Sequence, residues 1–357
     1  MKDKKKNIGL ATLRIYLSFL VVIYHLFSPN GKIRNYNIIK IIYNNNHVPN
    51  FYIMSFYFNY NSFKIKNITK IKIRFQMLLI PYFVWPIIIW SLNNLLSLIY
   101  TKINKISFMD LTLQLLTGYI FMRVLWFQYN LIFITLIIFI IHFLFNEKII
   151  FYILFNLKIF GLFFAYSKYN FIFFSHYKDC IKYTFGRFLE IIVYCITGYF
   201  LASLKLAHIL SKNKIITINF FLLILIFIIK YKIFLEIKGF HYQGLKLYAS
   251  SISIFFLFYI IPNEIIRNKY IIKFIEFISI HSAGIYFTHL QIYYYLNIFS
   301  LFNHRTLNES IIIYFMSYFI SLFGKLIFRK TKLIIYNLNV KLYYRIYLFF
   351  DKILICY

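Results

Sequence analysis

The sequence is poor in charged residues, and above all in acidic ones. Only 14% of the 357 residues are charged, and Asp and Glu together number 10. Soluble domains carry about 25% charged residues, so a mean hydropathy of +0.70 over this length excludes a soluble globule. The same apolar composition excludes a disordered chain, because disorder requires low hydrophobicity.

Cysteine, glycine and proline are also scarce. There are 3 Cys, 10 Gly and 5 Pro, and the cysteines, at positions 180, 195 and 356, lack the spacing of a disulfide framework or a zinc site. The sequence contains no Gly-rich phosphate loop, no Ser/His/Asp order and no paired-carboxylate motif. We therefore expect neither a metal site nor a permanently bound cofactor, and no Pro/Gly-rich linker or internal repeat divides the chain.

Basic residues, by contrast, are abundant. The 40 Lys and Arg give a formal net charge of +30, which in a soluble chain would indicate a nucleic-acid partner. Here the basic residues lie between apolar blocks, so a lipid bilayer surface is favoured and no nucleic acid is expected. A/T-rich codons, which encode Lys, Asn, Ile, Phe and Tyr, are an alternative source of the lysine excess.

Ten segments of the chain are long and apolar enough to be membrane spans. A bilayer core of about 30 Å requires about 20 apolar residues in a helix. Backbone polar groups in hydrocarbon must be satisfied within the segment, so each is predicted to be helical. The fold class expected is all-α: a multi-pass transmembrane helical bundle of about ten spans. The segments are 8–28, 46–62, 76–99, 125–145, 149–166, 184–208, 214–235, 247–264, 271–299 and 309–328.

The distribution of basic residues predicts the orientation in a cell membrane. Lys and Arg are more frequent in the loops that lie inside if the N-terminus is cytoplasmic, and this favours both termini in the cytoplasm. The run after the first six residues holds Arg14 and lacks a small-residue cleavage site, so we expect a retained span rather than a signal peptide. We expect one membrane domain over residues 1–330 and a basic, aromatic tail over residues 331–357 on the inner surface.

Two residues of the first span, Arg14 and His25, do not suit lipid. A charge at the bilayer centre costs about 2.5–3.5 kcal/mol on insertion scales and usually faces a cavity or a partner. At about 100° per residue the two lie within about 20° of one helical face, and about 16 Å apart along it. The spacing suits a long anionic donor, because arginine pairs phosphate bidentately and histidine serves as base or nucleophile. The alternative is a snorkelling arginine and an interfacial histidine.

Other polar residues lie on predicted spans. Ser282, Tyr286 and His289 follow one another at spacings of four and three, so they share one stripe of a helix and are expected to line a polar cavity. The alternative is a hydrogen-bonded contact between helices, with Gly284 allowing close packing.

Charged and aromatic residues near span ends have simpler interpretations. The alternative for Arg74 is an ordinary basic residue at the cytoplasmic end of a span. The alternative for Trp126 is an aromatic residue at the membrane interface. Arg187 and Glu190, spaced i,i+3, predict a structural salt bridge.

The segment from Arg14 to His25 is similar to the R-x10-H signature in the first helix of the acyltransferase-3 family of integral membrane acyltransferases. Further blocks resemble that family in its own order, and together they cover roughly residues 8–330. Two of them depart from the family's pattern. Phe56 stands where the second-helix pattern has glycine after Ser55, and Met77 stands where R-x-x-R, beginning at Arg74, would have its second arginine. The blocks are residues 47–56, residues 74–85, Leu125-Trp126-Phe127 and residues 282–289.

The resemblance implies an O-acetyltransferase-like enzyme that moves an acyl group, most often acetyl, from cytosolic acyl-CoA to a hydroxyl of a surface glycan or a lipid-linked saccharide. Acyl-CoA is then a co-substrate. The resemblance implies donor binding by Arg14 and Arg74 and a catalytic His25, either as base or as transient acyl carrier. The expected acceptor side chains are Ser282, Tyr286, His289 and Trp126.

A second class of protein stays open: a non-enzymatic exporter of polysaccharide or lipid-linked sugar, in which Arg14, His25 and His289 line a translocation path. Such transporters usually show internal repeats or paired helices interrupted by Gly or Pro. Neither is visible in this sequence.

Overall fold

A computed structural model describes residues 7–26, 47–101, 103–118, 122, 125–166, 180–231, 245–299, 301 and 307–337. Within these ranges the chain forms helices and no strands, which confirms the all-α prediction. The helices are α1 (Ile8–Leu26), α2 (His47–Lys64), α3 (Ile68–Leu96), α4 (Phe108–Thr117), α5 (Leu125–Leu144), α6 (Glu147–Tyr166), α7 (Cys180–Ser203), α8 (Leu206–Leu210), α9 (Lys214–Tyr231), α10 (Leu245–Ile265), α11 (Lys269–Ser279), α12 (Ser282–Ile298) and α13 (Leu307–Asn337).

Each of the ten predicted segments overlaps one or two of these helices. In the described part of the chain, three are long and apolar enough to cross a membrane: α3, α5 and the Gly186–Ser203 part of α7. A fourth candidate is the pair formed by α11 and α12, which is bent by 41°. Three more apolar stretches are shorter: Ile8–Ile23, Lys214–Ile226 and Leu247–Ile261. The described part of the chain is therefore all-helical with three candidate membrane spans, which indicates a membrane location, and the count of ten spans stays a prediction.

The start of α3 differs from the sequence-based expectation. The sequence predicted a span from residue 76, with Arg74 ahead of it. The helix instead begins at Ile68, where the side chain of Asn67 accepts a hydrogen bond from the Lys70 N–H at 2.9 Å. Pro81 and Pro86 lie inside the helix, as membrane helices allow when neighbouring groups satisfy the freed carbonyls. Arg74 is consequently a residue of α3 itself.

The predicted span 271–299 is divided in two. Helix α11 ends at Ser279 and α12 begins at Ser282, with His281 at the bend between them. His281 is buried against the rings of Phe277 and Tyr318, at centroid distances of 5.6 and 5.3 Å. Two aromatic rings therefore cover the His281 side of the bend.

Helix α1 lies at the centre of the described bundle. It packs against α2, α10, α11, α12 and α13, and Leu10, Leu13 and Leu17 are among its fully buried side chains. Because α1 is enclosed by helices from both halves of the chain, its polar residues face partners that are distant in sequence.

Helix α2 packs most extensively against α7. At their crossing the carbonyl of Ile53 occupies the space that a Cβ atom on Gly198 would need. A residue without a side chain therefore lets the two backbones approach closely. This contact fixes the position of α2, which carries several residues of the candidate site.

The last helix, α13, continues through residue 330 to Asn337. The rest of the predicted tail, residues 338–357, lies outside the described residues.

Candidate functional site

Two histidines that were predicted from separate sequence blocks meet in the bundle. His25 lies in the last turn of α1 and His289 in α12, and their ring centroids are 5.1 Å apart with 38° between the ring planes. His289 is 0% exposed, whereas His25 is partly buried. The structure thus places the predicted catalytic residue against one of the predicted acceptor residues.

The hydrogen bonding of His289 fixes its tautomer. Its Nδ1 atom lies 3.0 Å from the carbonyl oxygen of Ile285, one turn earlier in α12. A carbonyl oxygen only accepts, so Nδ1 carries the hydrogen, and Nε2 of the neutral ring holds a lone pair. Among the described residues nothing hydrogen-bonds to this buried Nε2. His289 therefore presents a basic nitrogen inside the protein.

A third imidazole, that of His47, lies near the pair. It is the first residue of α2, is 1% exposed and is within electrostatic range of both His25 and His289. The sequence interpretation quoted His47 within the second block but gave it no role. Arg14 of α1 contacts Phe58 of α2, so the two helices are antiparallel, and the end of α1 meets the start of α2. In the described ranges, no three His, Cys, Asp or Glu side chains are arranged to hold a metal ion.

Tyr286 forms one wall beside His289. It is buried, with its ring centroid 6.2 Å from that of His289. Phe127 of α5 lies 4.9 Å from Tyr286, and Phe51 of α2 lies 6.2 Å from it. Three helices thus contribute aromatic rings around the histidine pair.

Trp126 extends this aromatic group away from the pair. It is 8% exposed, so it is a packed residue and not one of a surface belt. Its ring lies 6.4 Å from that of Phe127, and the guanidinium of Arg187 lies 5.8 Å from its centroid. Arg187 also forms a buried ion pair with Glu190 at 2.6 Å, which confirms the predicted structural salt bridge.

Ser282 stands at the far end of the predicted stripe. Its hydroxyl donates to the carbonyl of Ser279 at 2.9 Å, and seven residues separate it from His289, or about 10 Å along the axis. Nearby, a Cβ on Gly284 would meet the side chain of Ser321 in α13. Ser282 is therefore placed beside the contact of α12 with α13, while Tyr286 and His289 are placed beside α1.

The two predicted donor-binding arginines also lie close together. Nη2 of Arg74 donates to Oγ of Ser55 at 2.6 Å, and Arg14 and Arg74 are within electrostatic range of each other. The guanidinium of Arg14 lies over Phe58, 4.9 Å from the ring centroid, and that of Arg74 over Phe56, at 5.7 Å.

Among the described residues, neither arginine forms an ion pair with a carboxylate. The ion pairs found there between other residues include Lys64 with Glu147 and Arg187 with Glu190. The Nε atom of Arg74 is buried and has no hydrogen-bond partner there. Two positive charges on adjacent helices without acidic partners form a site complementary to an anion.

The part of α1 between the arginines and the histidines is packed with buried side chains. Leu17, Ser18 and Val21 lie on the face of α1 that carries Arg14 and His25, and each is 0% exposed. The Ser18 hydroxyl donates to the carbonyl of Ile15 at 2.8 Å and lies 3.3 Å from the Tyr314 hydroxyl of α13. In this conformation the two polar sites are separate compartments about 16 Å apart.

Fold and site together define a helical membrane protein with an arginine pair at one end of a central helix and a histidine pair at the other. Comparison of the chain with protein-family models, curated proteins and solved structures finds no match. The resemblance to the acyltransferase-3 family therefore depends on the sequence blocks alone.

Proposed function

We propose that the protein is a multi-pass acyltransferase of about ten spans in the cell membrane, with both termini in the cytoplasm. It transfers an acyl group, most simply acetyl, from acyl-CoA to a hydroxyl of a surface glycan or lipid-linked saccharide. The observation that carries this proposal is the placement of an unneutralised arginine pair and a histidine pair at opposite ends of the same face of α1.

The arginine pair suits the donor. Charged residues within a membrane usually have partners, and neither Arg14 nor Arg74 has an acidic one in the described ranges. Coenzyme A carries several phosphate groups, which arginine binds with bidentate, charge-assisted hydrogen bonds. Ser55 holds one nitrogen of Arg74, and the remaining guanidinium hydrogens are available for the donor.

The histidine pair suits the chemistry. His25 takes the proton of the acceptor hydroxyl as the oxygen attacks the thioester carbonyl. The C–O bond forms, the C–S bond breaks, and the thiolate that leaves takes the proton back from His25. The products are the ester and the free thiol of coenzyme A, with no net gain or loss of protons. Tyr286 lies beside the pair and positions the acceptor, and Trp126 lies farther out in the same aromatic group.

The buried side chains of α1 between the two pairs restrict how the acyl-CoA donor can reach His25. Leu17 and Val21 occupy the face along which the pantetheine arm would run from Arg14 to His25. The arm therefore reaches His25 by separating α1 from a neighbouring helix. The contact of Ser18 with Tyr314 lies in that seam, and it breaks when α1 and α13 separate.

One observation favours the alternative of an exporter. The bend between α11 and α12 divides a candidate span, and interrupted helices often form the substrate sites of transporters. His281, the polar residue at the bend, is buried against two aromatic rings, however. Acyl transfer accounts for both polar pairs, whereas the bend alone supports export.

A direct test compares cell-surface glycans, by NMR, from cells with and without the gene. We expect an O-acyl signal that disappears with the gene and returns with the intact gene. The purified protein should also be stabilised by acetyl-CoA in a thermal-shift assay, and less so by acetate. Identical glycan spectra together with no stabilisation would contradict the enzyme and support the exporter.

A further inference from the structure

The buried Nε2 lone pair of His289 is a feature that the proposed reaction does not yet use. Its lone pair faces no donor among the described residues, although the Nδ1–H bond to Ile285 fixes the ring. Burying an acceptor without a donor costs free energy, and membrane proteins retain such groups where function requires them.

The side chain placed to donate a hydrogen bond to this Nε2 atom is that of His25. A centroid separation of 5.1 Å leaves room, after a small rotation of either ring, for one N–H···N hydrogen bond at ordinary length. It leaves no room for a substrate atom between the rings. Any contact of His289 with the reaction therefore passes through His25.

We propose that His289 is the positioning residue of His25: its Nε2 accepts the hydrogen bond of one His25 N–H and so directs the other nitrogen of His25 toward the acceptor hydroxyl. This inference rests on the proposed function. Catalytic histidines are commonly held in one tautomer by a third group that accepts their second N–H. Here a neutral imidazole would take the place that a carboxylate has elsewhere.

The proton movements balance. With one N–H of His25 directed at His289, the other nitrogen of His25 takes the proton of the acceptor hydroxyl. The positive charge then lies on His25 and is stabilised by the lone pair of His289. The departing thiolate receives that same proton, and His289 keeps its own hydrogen on Nδ1 throughout.

A neutral positioning group suits this location. The site is enclosed by Tyr286, Phe127 and Phe51, and a permanent carboxylate there would be costly to bury without a paired cation. An imidazole adds no charge in the resting state and supports one only during the reaction.

The test uses His289→Leu, which removes the acceptor while keeping a buried side chain of similar size, and His289→Gln, whose side-chain oxygen still accepts. The matched control is His281→Gln, because His281 is buried at the start of the same helix but packs against Phe277 and Tyr318. We expect His289→Leu to lower kcat about a hundredfold, in the range of acid–base contributions, with KM for both substrates within about twofold.

His289→Gln should restore kcat to within about tenfold of wild type, because its oxygen can take the hydrogen bond. The His281→Gln control should keep wild-type kcat. A wild-type kcat in His289→Leu, or equal losses in His289→Leu and His289→Gln, would overturn the positioning role.

A second readout does not need substrates. Carbethoxylation of His25 by diethyl pyrocarbonate, followed by mass spectrometry of the full chain in detergent, reports the nucleophilicity of the His25 ring. We expect the rate at His25 to fall at least about threefold in His289→Leu and to be unchanged in His281→Gln. An unchanged rate in His289→Leu overturns the inference even if the protein transfers acyl groups. If the protein does not transfer acyl groups but His289→Leu still slows the carbethoxylation of His25, the bond between the two histidines is supported and only the proposed function is refuted.

Discussion

The side chains of Arg74 and Ser55 join α3 to α2 through a hydrogen bond of 2.6 Å. Ser55 lies three residues before Phe58, over which the guanidinium of Arg14 lies. One turn of α2 therefore holds both arginines, one from each neighbouring helix. Their proximity comes from α2 and not from contact with each other.

Substituting His25 by Ala should abolish acyl transfer, by at least about a hundredfold, because the acceptor hydroxyl loses its base. Membrane insertion should be retained, since His25 is partly buried at the end of α1. Transfer of radiolabelled acetyl groups in membrane preparations measures the effect. The control is His208→Ala, at an exposed histidine of α8. Wild-type transfer by His25→Ala membranes would remove the catalytic role.

Replacing Arg14 by Lys should raise the KM for acyl-CoA about tenfold and leave the KM for the acceptor within about twofold. Lysine keeps the charge but loses the bidentate geometry that phosphate matches, and tenfold corresponds to about 1.4 kcal/mol. Steady-state kinetics with each substrate varied in turn give both constants. Arg267→Lys, at an exposed arginine before α11, is the matched control. An unaltered donor KM would place Arg14 outside the donor site.

The substitution Gly198→Ala should destabilise the protein by about 1–3 kcal/mol, as overpacking typically does. The new methyl group would meet the backbone carbonyl of Ile53, which cannot move without shifting α2. Gly324→Ala is the control, because nothing lies within 4 Å of a Cβ there. That change should stabilise the helix by about 0.5–1 kcal/mol. Thermal unfolding in detergent compares the two, and equal midpoints would refute the close crossing.

His289→Leu should lower the melting temperature as well as remove activity. The substitution removes the acceptor of the proposed His25 hydrogen bond, at a cost of about 1–3 kcal/mol for a buried group that loses its partner. His142→Leu should act in the same direction, because His142 hydrogen-bonds the Tyr199 hydroxyl at 2.8 Å and its loss leaves that hydroxyl without its partner. Differential scanning fluorimetry measures both. A higher melting temperature in His289→Leu would show that Nε2 of His289 is unsatisfied in the native protein and would contradict the proposed bond.

The sequence was sufficient to predict the helices other than α4, because apolar runs of about 20 residues leave no other backbone structure in lipid. It also indicated Arg14 and His25, since their eleven-residue spacing is a property of one helix. Their partners are set by packing between helices, and helical periodicity contains no information on which helices are neighbours. The meeting of His25 with His289 and the approach of Arg74 to Arg14 therefore required the structure.

Two local features also escaped the sequence interpretation for physical reasons. The predicted span began at residue 76, because apolar length marks the part of a helix that crosses the membrane and not its polar first turns, but the helix begins at Ile68 with Asn67 as its cap. His47 lay beside a run of asparagines and at the weak edge of a predicted span. Its burial is a consequence of α2 packing against α1 and α7.

The buried face of α1 has a consequence for the membrane potential. Leu17 and Val21 are fully buried between the arginine end and the histidine end. Each elementary charge that crosses a membrane releases about 2.3 kcal/mol per 100 mV of potential. In the proposed reaction, the packed middle of α1 would keep the proton transfers at His25 from carrying charge along this helix to the arginine side.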